Sequence, residues 1–155
     1  MKKSPMTYTD SEKRALNTYT KLMRAAESVT SRIGRNMAAS DLTVSQFGVM
    51  EALFHKGPLC QRDIATKILK STGNITMVID NLEKRGLVRR ERAAEDRRFI
   101  TIHLTDVGEQ LIAEVFPRVQ ASIVEEMTIL TETEQEELGR LCRILGLKER
   151  RTKGS

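Results

Sequence analysis

Between Lys84 and Arg98, seven basic residues (Lys84, Arg85, Arg89, Arg90, Arg92, Arg97 and Arg98) stand among three acidic ones, Glu91, Glu95 and Asp96. That surplus of +4 in fifteen residues accounts for most of the formal net charge of +5. Guanidinium groups gathered on one segment suit phosphate oxygens and base edges, because their planar fork donates in pairs. Just upstream, Ser71, Thr72, Asn74, Thr76, Met77 and Asn81 alternate with Ile75, Val78, Ile79 and Leu82. At 3.6 residues per turn this makes a helix with one apolar face and one face of amides, hydroxyls and a thioether. An amide can pair with adenine N6 and N7, and a methyl or thioether can touch a thymine methyl. Ser71 and Thr72 can reach phosphates or bases, whereas Lys84 lies too far along the helix and is expected on the backbone. The chemistry implied is hydrogen bonding and charge pairing with duplex DNA. No Ser-His-Asp set, phosphate-binding loop or HExxH run occurs, so no enzymatic activity, cofactor or metal is expected.

The elements that must position these residues can be read on either side. Gly86 is a natural helix stop, since glycine enters the left-handed region without a Cβ penalty. Leu87–Arg92 and Phe99–Leu104 read as two strands, with Ile100, Ile102 and Leu104 on one side and Thr101 and His103 on the other. The polar connection AAEDRR should project as a wing. Upstream, a long helix from about Ser11 to Met37 carries an apolar seam of Leu16, Tyr19, Met23, Ala26, Thr30, Ile33 and Met37. A second helix opens at Thr43-x-x-Gln46, a capping box with Leu42 stapled on Phe47, and buries Phe47, Met50, Leu53 and Phe54 before Gly57-Pro58. A third, QRDIATKIL, turns Ile64, Ala65, Ile68 and Leu69 inward. Ser71 or Thr72 should cap the fourth. Thr105 or Asp106 caps a fifth that runs to about Met127 with Leu111, Val115, Phe116, Val119, Ile123 and Met127 on its apolar face and a bend at Pro117. A last helix follows the capping box Thr131-x-x-Glu134 and buries Leu138, Leu141, Cys142 and Leu145 as far as Leu147.

Helices followed by a helix with a polar face and then a hairpin form the winged helix-turn-helix arrangement. The run from Asp96 to Thr105, DRRFITIHLT, fits D-x-R-x5-L-T, and with the segments STGNIT and LEKRGLV it resembles the MarR family of bacterial regulators. The resemblance covers nearly the whole chain, the flanking helices matching that family's dimerisation helices in order and length. It implies that Arg98 enters the minor groove, where a narrow A·T-rich groove concentrates negative potential. It also implies that Asp96 braces the wing by pairing with an arginine, that Arg97 reaches phosphate, and that Leu104 and Thr105 are structural. A small aromatic or phenolic effector is implied where the outer helices meet the DNA-binding lobe, with Tyr19, Met23, Phe47, Met50 and Phe54 as candidate lining. Two residues depart from the family's habit. Met77 stands where many relatives carry a polar or basic side chain. Cys60 stands where Ser or Thr commonly caps the third helix, which raises a thiol-oxidation alternative.

The expectation is a mainly α chain with a small β-hairpin wing, one domain over 1–155. The lobe at 43–104 reads DNA, and 11–42 with 105–147 supply dimerisation helices. The seams of the outer helices need a partner, and a homodimer would give a pseudopalindromic operator with half-sites ~34 Å apart. Repression is the expected outcome. The rival reading is a winged-helix module whose charge serves an acidic protein partner. Cys60 and Cys142 form no CxxC pair, and together with the absence of an 18-residue apolar run or a signal-like N-terminus they point to the reducing cytoplasm of a bacterial or archaeal cell. His55 and His103 lack partners at ligand spacing and read as a surface and a hairpin residue.

Overall fold

The computed structural model describes residues 5–68 and 72–150, apart from the side chains of Thr72 and Gly73. Six helices and a three-stranded antiparallel sheet are described, in the order α1 (Asp10–Ala38), α2 (Val44–Lys56), β1 (Leu59–Cys60), α3 (Gln61–Ile68), α4 (Thr72–Lys84), β2 (Val88–Arg92), β3 (Ile100–Leu104), α5 (Asp106–Met127) and α6 (Glu132–Leu147). The expected mainly helical fold with a wing is present. Ser71 and Leu69, which the sequence offered as a cap and a core residue, lie outside the described residues.

The helix starts follow from local chemistry. Thr43 and Gln46 exchange side-chain bonds with each other's backbone N–H groups, and Thr131 and Glu134 do the same. A third capping box, Thr9 with Glu12, opens α1 one residue before the position read from sequence. Each box satisfies donors that a helix end leaves unpaired. Gly86 has φ 72°, as its role as a stop requires. Pro117 sits within α5, which is one continuous helix from Asp106 to Met127.

The core lies where α2, α3, α4, the sheet and the first half of α5 meet. Met50, Ile64, Ile75, Ile79, Leu82, Ile102, Ile112 and Val119 are fully enclosed there, and Ile33 and Met37 close it from the end of α1. Two details differ from the sequence reading. On α5 Ile112 is buried beside Val115 and Val119, while Leu111 is half-buried, and Ile123 is exposed because the second half of the helix runs past the core. On α2, Phe54 remains 37% exposed, whereas Val49 and Ala52 are buried.

The sheet holds a strand that sequence alone did not suggest. β1 is two residues long and pairs with β3, Leu59 opposite Ile102 and Cys60 opposite Thr101, so the order is β1-β3-β2. Two residues are too few to show alternation, and only the sheet's own edge reveals them. β2 and β3 pair from Val88–Leu104 at the root to Arg92–Ile100 at the tip.

The root of the hairpin is locked to α5. The Thr105 hydroxyl accepts from the N–H of Gly108 and donates to the carbonyl of Gly86, at 2.6 Å, while the Thr105 N–H donates to the Leu87 carbonyl. A Cβ at Gly108 would lie 1.9 Å from that Leu87 oxygen, so only glycine allows α5 to start this close to the wing.

The outer helices differ from this closed lobe. No residue of α6 is buried, which corrects the expected burial of Leu138, Leu141, Cys142 and Leu145. Leu138, Leu141 and Leu145 are 43–53% exposed and Cys142 is exposed, because α6 does not pack onto the core of its own chain. On α1, Leu16, Tyr19 and Met23 are also exposed. The C-terminal part of α1 is tied to α5 by Arg32–Glu126 at 2.7 Å, by Asn36 to Ser122 and, just beyond α1, by Arg118 to Ser40 at 3.1 Å. The Arg32 bond holds the Glu126 carboxyl below its ordinary range.

Candidate nucleic-acid interface

Helix α4 is amphipathic as read. Ile75, Ile79 and Leu82 are fully buried, and Asn74, Met77, Asn81 and Lys84 are exposed on the other side. Met77 is the most open of the apolar groups here, at 65%. Thr72 is the first residue of the helix. Thr76 is the exception among the expected base contacts. It is half-buried, and its hydroxyl accepts from the side-chain amide of Gln61 on α3. That bond joins the two helices of the turn and occupies the hydroxyl of Thr76, not the methyl that was expected to meet thymine.

Arg90, one of the seven basic residues between Lys84 and Arg98, is turned back onto α4. Its guanidinium bonds Asp80 at 2.5 Å and Glu83 at 3.0 Å, and its backbone N–H donates to Glu83. Asp80 and Glu83 are three residues apart on α4, so they share a face. A planar fork placed between them clamps the helix to β2, and Arg90 is three-quarters covered as a result. The signal was present in sequence as an i, i+3 acidic pair before a basic strand, but the cross-pairing needs the register. Arg85 makes a second tie, donating to the Asp41 carbonyl between α1 and α2 at 2.6 Å.

The wing tip is an exposed cationic feature of the lobe. Arg98 is 91% exposed, and its guanidinium meets Asp96 at 3.1 and 3.3 Å. Asp96 also accepts from the Arg98 backbone N–H at 3.0 Å. The Arg98 side chain, and then its backbone N–H, hold the Asp96 carboxyl below its ordinary value. Asp96 thus braces the tip by binding Arg98 itself. Arg97 is exposed, and its carbonyl accepts from Arg92 across the turn. On the outer face of the sheet Glu91 joins Arg89 at 2.5 Å and His103 at 3.3 Å, and His103 also bonds Thr101. Arg89 and, after it, His103 hold the Glu91 carboxyl low. Cys60, half-buried in β1, precedes the α3 residue that holds Thr76.

The five expected effector residues are found at different places in the chain. Phe47 and Met50 are buried in the core. Tyr19 lines a groove of about 450 Å³ between α1 and Leu145 of α6, and Met23 is exposed on α1. Phe54 lines separate hollows beside Glu109 of α5. Two of the five are nevertheless linked. Phe47 stacks on Phe116 at 6.4 Å, and His55 stands edge-on to Phe116 at 4.6 Å and to Phe54 at 5.3 Å. Sequence spacing missed this aromatic string because its members come from α2 and α5. Among the described residues, no cluster of His, Cys, Asp or Glu could hold a metal ion. No helix there is long and apolar enough to cross a membrane.

A buried-core lobe that presents an exposed helix and an arginine-tipped hairpin can now be compared with known proteins. The model of the MarR family matches residues 42–100, from two residues before α2 to the first residue of β3. The transcriptional regulator MhqR of Bacillus subtilis (strain 168) is 32% identical over 86% of this chain and 92% of its own length. The chain belongs to the MarR family. It is a winged helix-turn-helix, DNA-binding transcriptional regulator, and the curated relatives it matches are regulators rather than enzymes. Solved structures agree on the fold. Sco3205 of Streptomyces coelicolor, a MarR-family regulator solved in complex with DNA, matches with a TM-score of 0.80 at 21% identity, covering 99% of this chain and 97% of that one. BpsR of Bordetella bronchiseptica, whose DNA binding is regulated by 6-hydroxynicotinic acid, matches with a TM-score of 0.75 at 24% identity over 84% of this chain and 98% of its own.

Proposed function

We propose that this MarR-family protein is a homodimeric repressor that covers a pseudopalindromic operator and is released by a small aromatic or phenolic effector. The observation that carries the reading is the pairing of an exposed α4 face with a 91%-exposed Arg98 on one closed lobe. Asn74, Met77 and Asn81 enter the major groove with Ser71 and Thr72 at the near end, Arg97 meets phosphate, and Arg98 enters the adjacent minor groove. Asp96 holds Arg98 in place until phosphates compete for it. The lobe at 43–104 supplies these contacts, and 11–42 with 105–147 supply the dimer.

Dimerisation is supported by the uncovered leucines of α6 and the open seam of α1, apolar surface of the kind that a second copy would bury. Two-fold symmetry then spaces the half-sites about one turn apart. Effector release is supported by the string Phe54–His55–Phe116–Phe47, which lies between α2 of the lobe and α5 of the outer helices. A ligand wedged there favours one lobe spacing over another, and the DNA-competent population falls by the difference in its affinities.

Selection of bound duplexes from a random pool tests the reading, followed by affinity measured against salt. A recovered palindrome and a steep fall of log affinity with log salt are expected. Binding that ignores salt and sequence would turn the basic wing over to an acidic protein partner. An aromatic compound that binds tightly yet leaves DNA affinity unchanged would remove the effector step.

A further inference from the structure

We propose that Phe99 is part of the DNA contact, its ring packing on the sugars at the mouth of the minor groove that receives Arg98, an inference that rests on the role of the wing proposed above. The chain has four phenylalanines. Phe47, Phe54 and Phe116 join the aromatic string between α2 and α5. Phe99 stands apart on the wing, one residue before β3, and is 57% exposed. Strand alternation explains why. Ile100, Ile102 and Leu104 turn to the core, with Ile102 fully buried, so Phe99 falls on the outer face with Thr101 and His103. Opposite it is Ala93, whose methyl is too small to cover a phenyl ring.

The backbone fixes this ring beside the arginine. The Phe99 N–H donates to the Asp96 carbonyl at 2.9 Å, and the Phe99 carbonyl accepts from the Ala93 N–H at 2.9 Å. The Asp96 carboxylate accepts from both the backbone N–H and the guanidinium of Arg98. Arg98 and Phe99 are therefore held in one closed tip, their Cα atoms about 3.8 Å apart. A surface that receives the Arg98 guanidinium also meets the residue beside it. An arginine that reaches into a minor groove about 6 Å wide leaves its backbone at the rim, where the walls are deoxyribose. The C–H faces of those sugars are apolar, and minor-groove proteins frequently bring an apolar side chain to the duplex alongside their arginines. Covering the ring removes apolar surface from water, so the contact adds affinity without charge. The wing then grips by two unlike contacts, a cation in the groove and a ring on its wall.

The experiment uses the full-length chain and a duplex recovered from a random pool, titrated over a range of salt. Phe99→Ala should bind about tenfold more weakly at every salt concentration, the low end of what burying a phenyl side chain is worth. The slope of log affinity against log salt should not change, because an apolar contact releases no counterion. Phe99→Leu should restore most of the loss, and Arg98→Ala should instead flatten the slope. Both Phe99 variants should melt with the wild type, since the residue is already largely in water. On a duplex trimmed of the flanking pairs under the wing, wild type and Phe99→Ala should bind alike. Equal affinity of the two on the full duplex, a slope that changes with the ring, or a loss that persists on the trimmed duplex would overturn the inference and leave the duplex-reading function intact. A pool that yields no bound duplex removes that function, and the role of Phe99 with it.

Discussion

The winged lobe and the outer helices are made of similar residues but complete themselves differently. In the lobe Ile75, Ile79 and Leu82 of α4's inner face are fully enclosed, and polar ties (Gln61–Thr76, Arg90–Asp80, Arg90–Glu83, Thr105–Gly86) fix one element to the next. In α6 no residue is buried, although Leu138, Leu141 and Leu145 repeat at helical spacing. Burial of apolar area is the main favourable term in folding, and a helix with an uncovered stripe leaves that term unused. The lobe is finished by its own chain. α6 leaves its apolar stripe uncovered within this chain, and in the dimer proposed above a second copy would cover it.

The sharpest way to break this contrast is to damage the join. Gly108→Ala places a carbon 1.9 Å from the Leu87 carbonyl oxygen, so the root of the wing must shift. A stability loss of about 3 kcal/mol or more is expected, read as a fall in melting temperature of about 10 °C. Leu141→Glu addresses the other region. It should leave the lobe folded by circular dichroism, convert the dimer to single chains in sedimentation, and reduce operator affinity about a hundredfold as the second half-site is lost. If the variant stays dimeric with full affinity, α6 is not the interface.

Arg90→Ala tests the clamp. The pair is partly screened by solvent, so the stability loss should be only about 1 kcal/mol. Operator affinity should fall about tenfold, because two released carboxylates then face the phosphates. Replacing Asp80 with Asn and Glu83 with Gln in the same chain should restore part of it, the coupling that a mutant cycle measures. If Arg90 instead touches phosphate, the neutralised triple variant will recover nothing and the salt slope will drop by about 0.9.

Smaller effects concern the tip. The Asp96 carboxyl is depressed by Arg98, so the brace is present at neutral pH and is lost as pH falls through the folded value, below the ordinary 3.8. In Arg98→Ala the carboxyl should titrate closer to that ordinary value, as NMR would record, and binding to A·T-rich flanks should weaken. The smallest change is expected at Cys60. Peroxide should affect DNA affinity of wild type and Cys60→Ser alike; a loss confined to the wild type would make oxidation the signal.

Much of the lobe was legible in sequence because its signals are local. Thr43-x-x-Gln46, Gly86 and the alternation of Ile100 and Ile102 each act within a few residues, and each is found where its chemistry requires. The D-x-R spacing likewise gave Asp96 and Arg98. The remainder depends on partners distant in sequence. The acidic pair Asp80 and Glu83 does not say which of the nearby arginines it will meet until the register of β2 is known, and nothing near Thr76 names Gln61. Phe116 and His55 meet across two helices. The α6 leucines follow the rule that predicted their burial, but the rule does not say whether the covering surface belongs to the same molecule.

The contact at Gly108 also governs how a signal could travel. Because α5 begins against Leu87, and Thr105 grips Gly86 within the same turn, the stem carrying each lobe is welded where the reader ends and the fingertip begins. A push along that stem moves reader and fingertip as one tool. In the proposed dimer it would change the stride between two copies without loosening the grip of either.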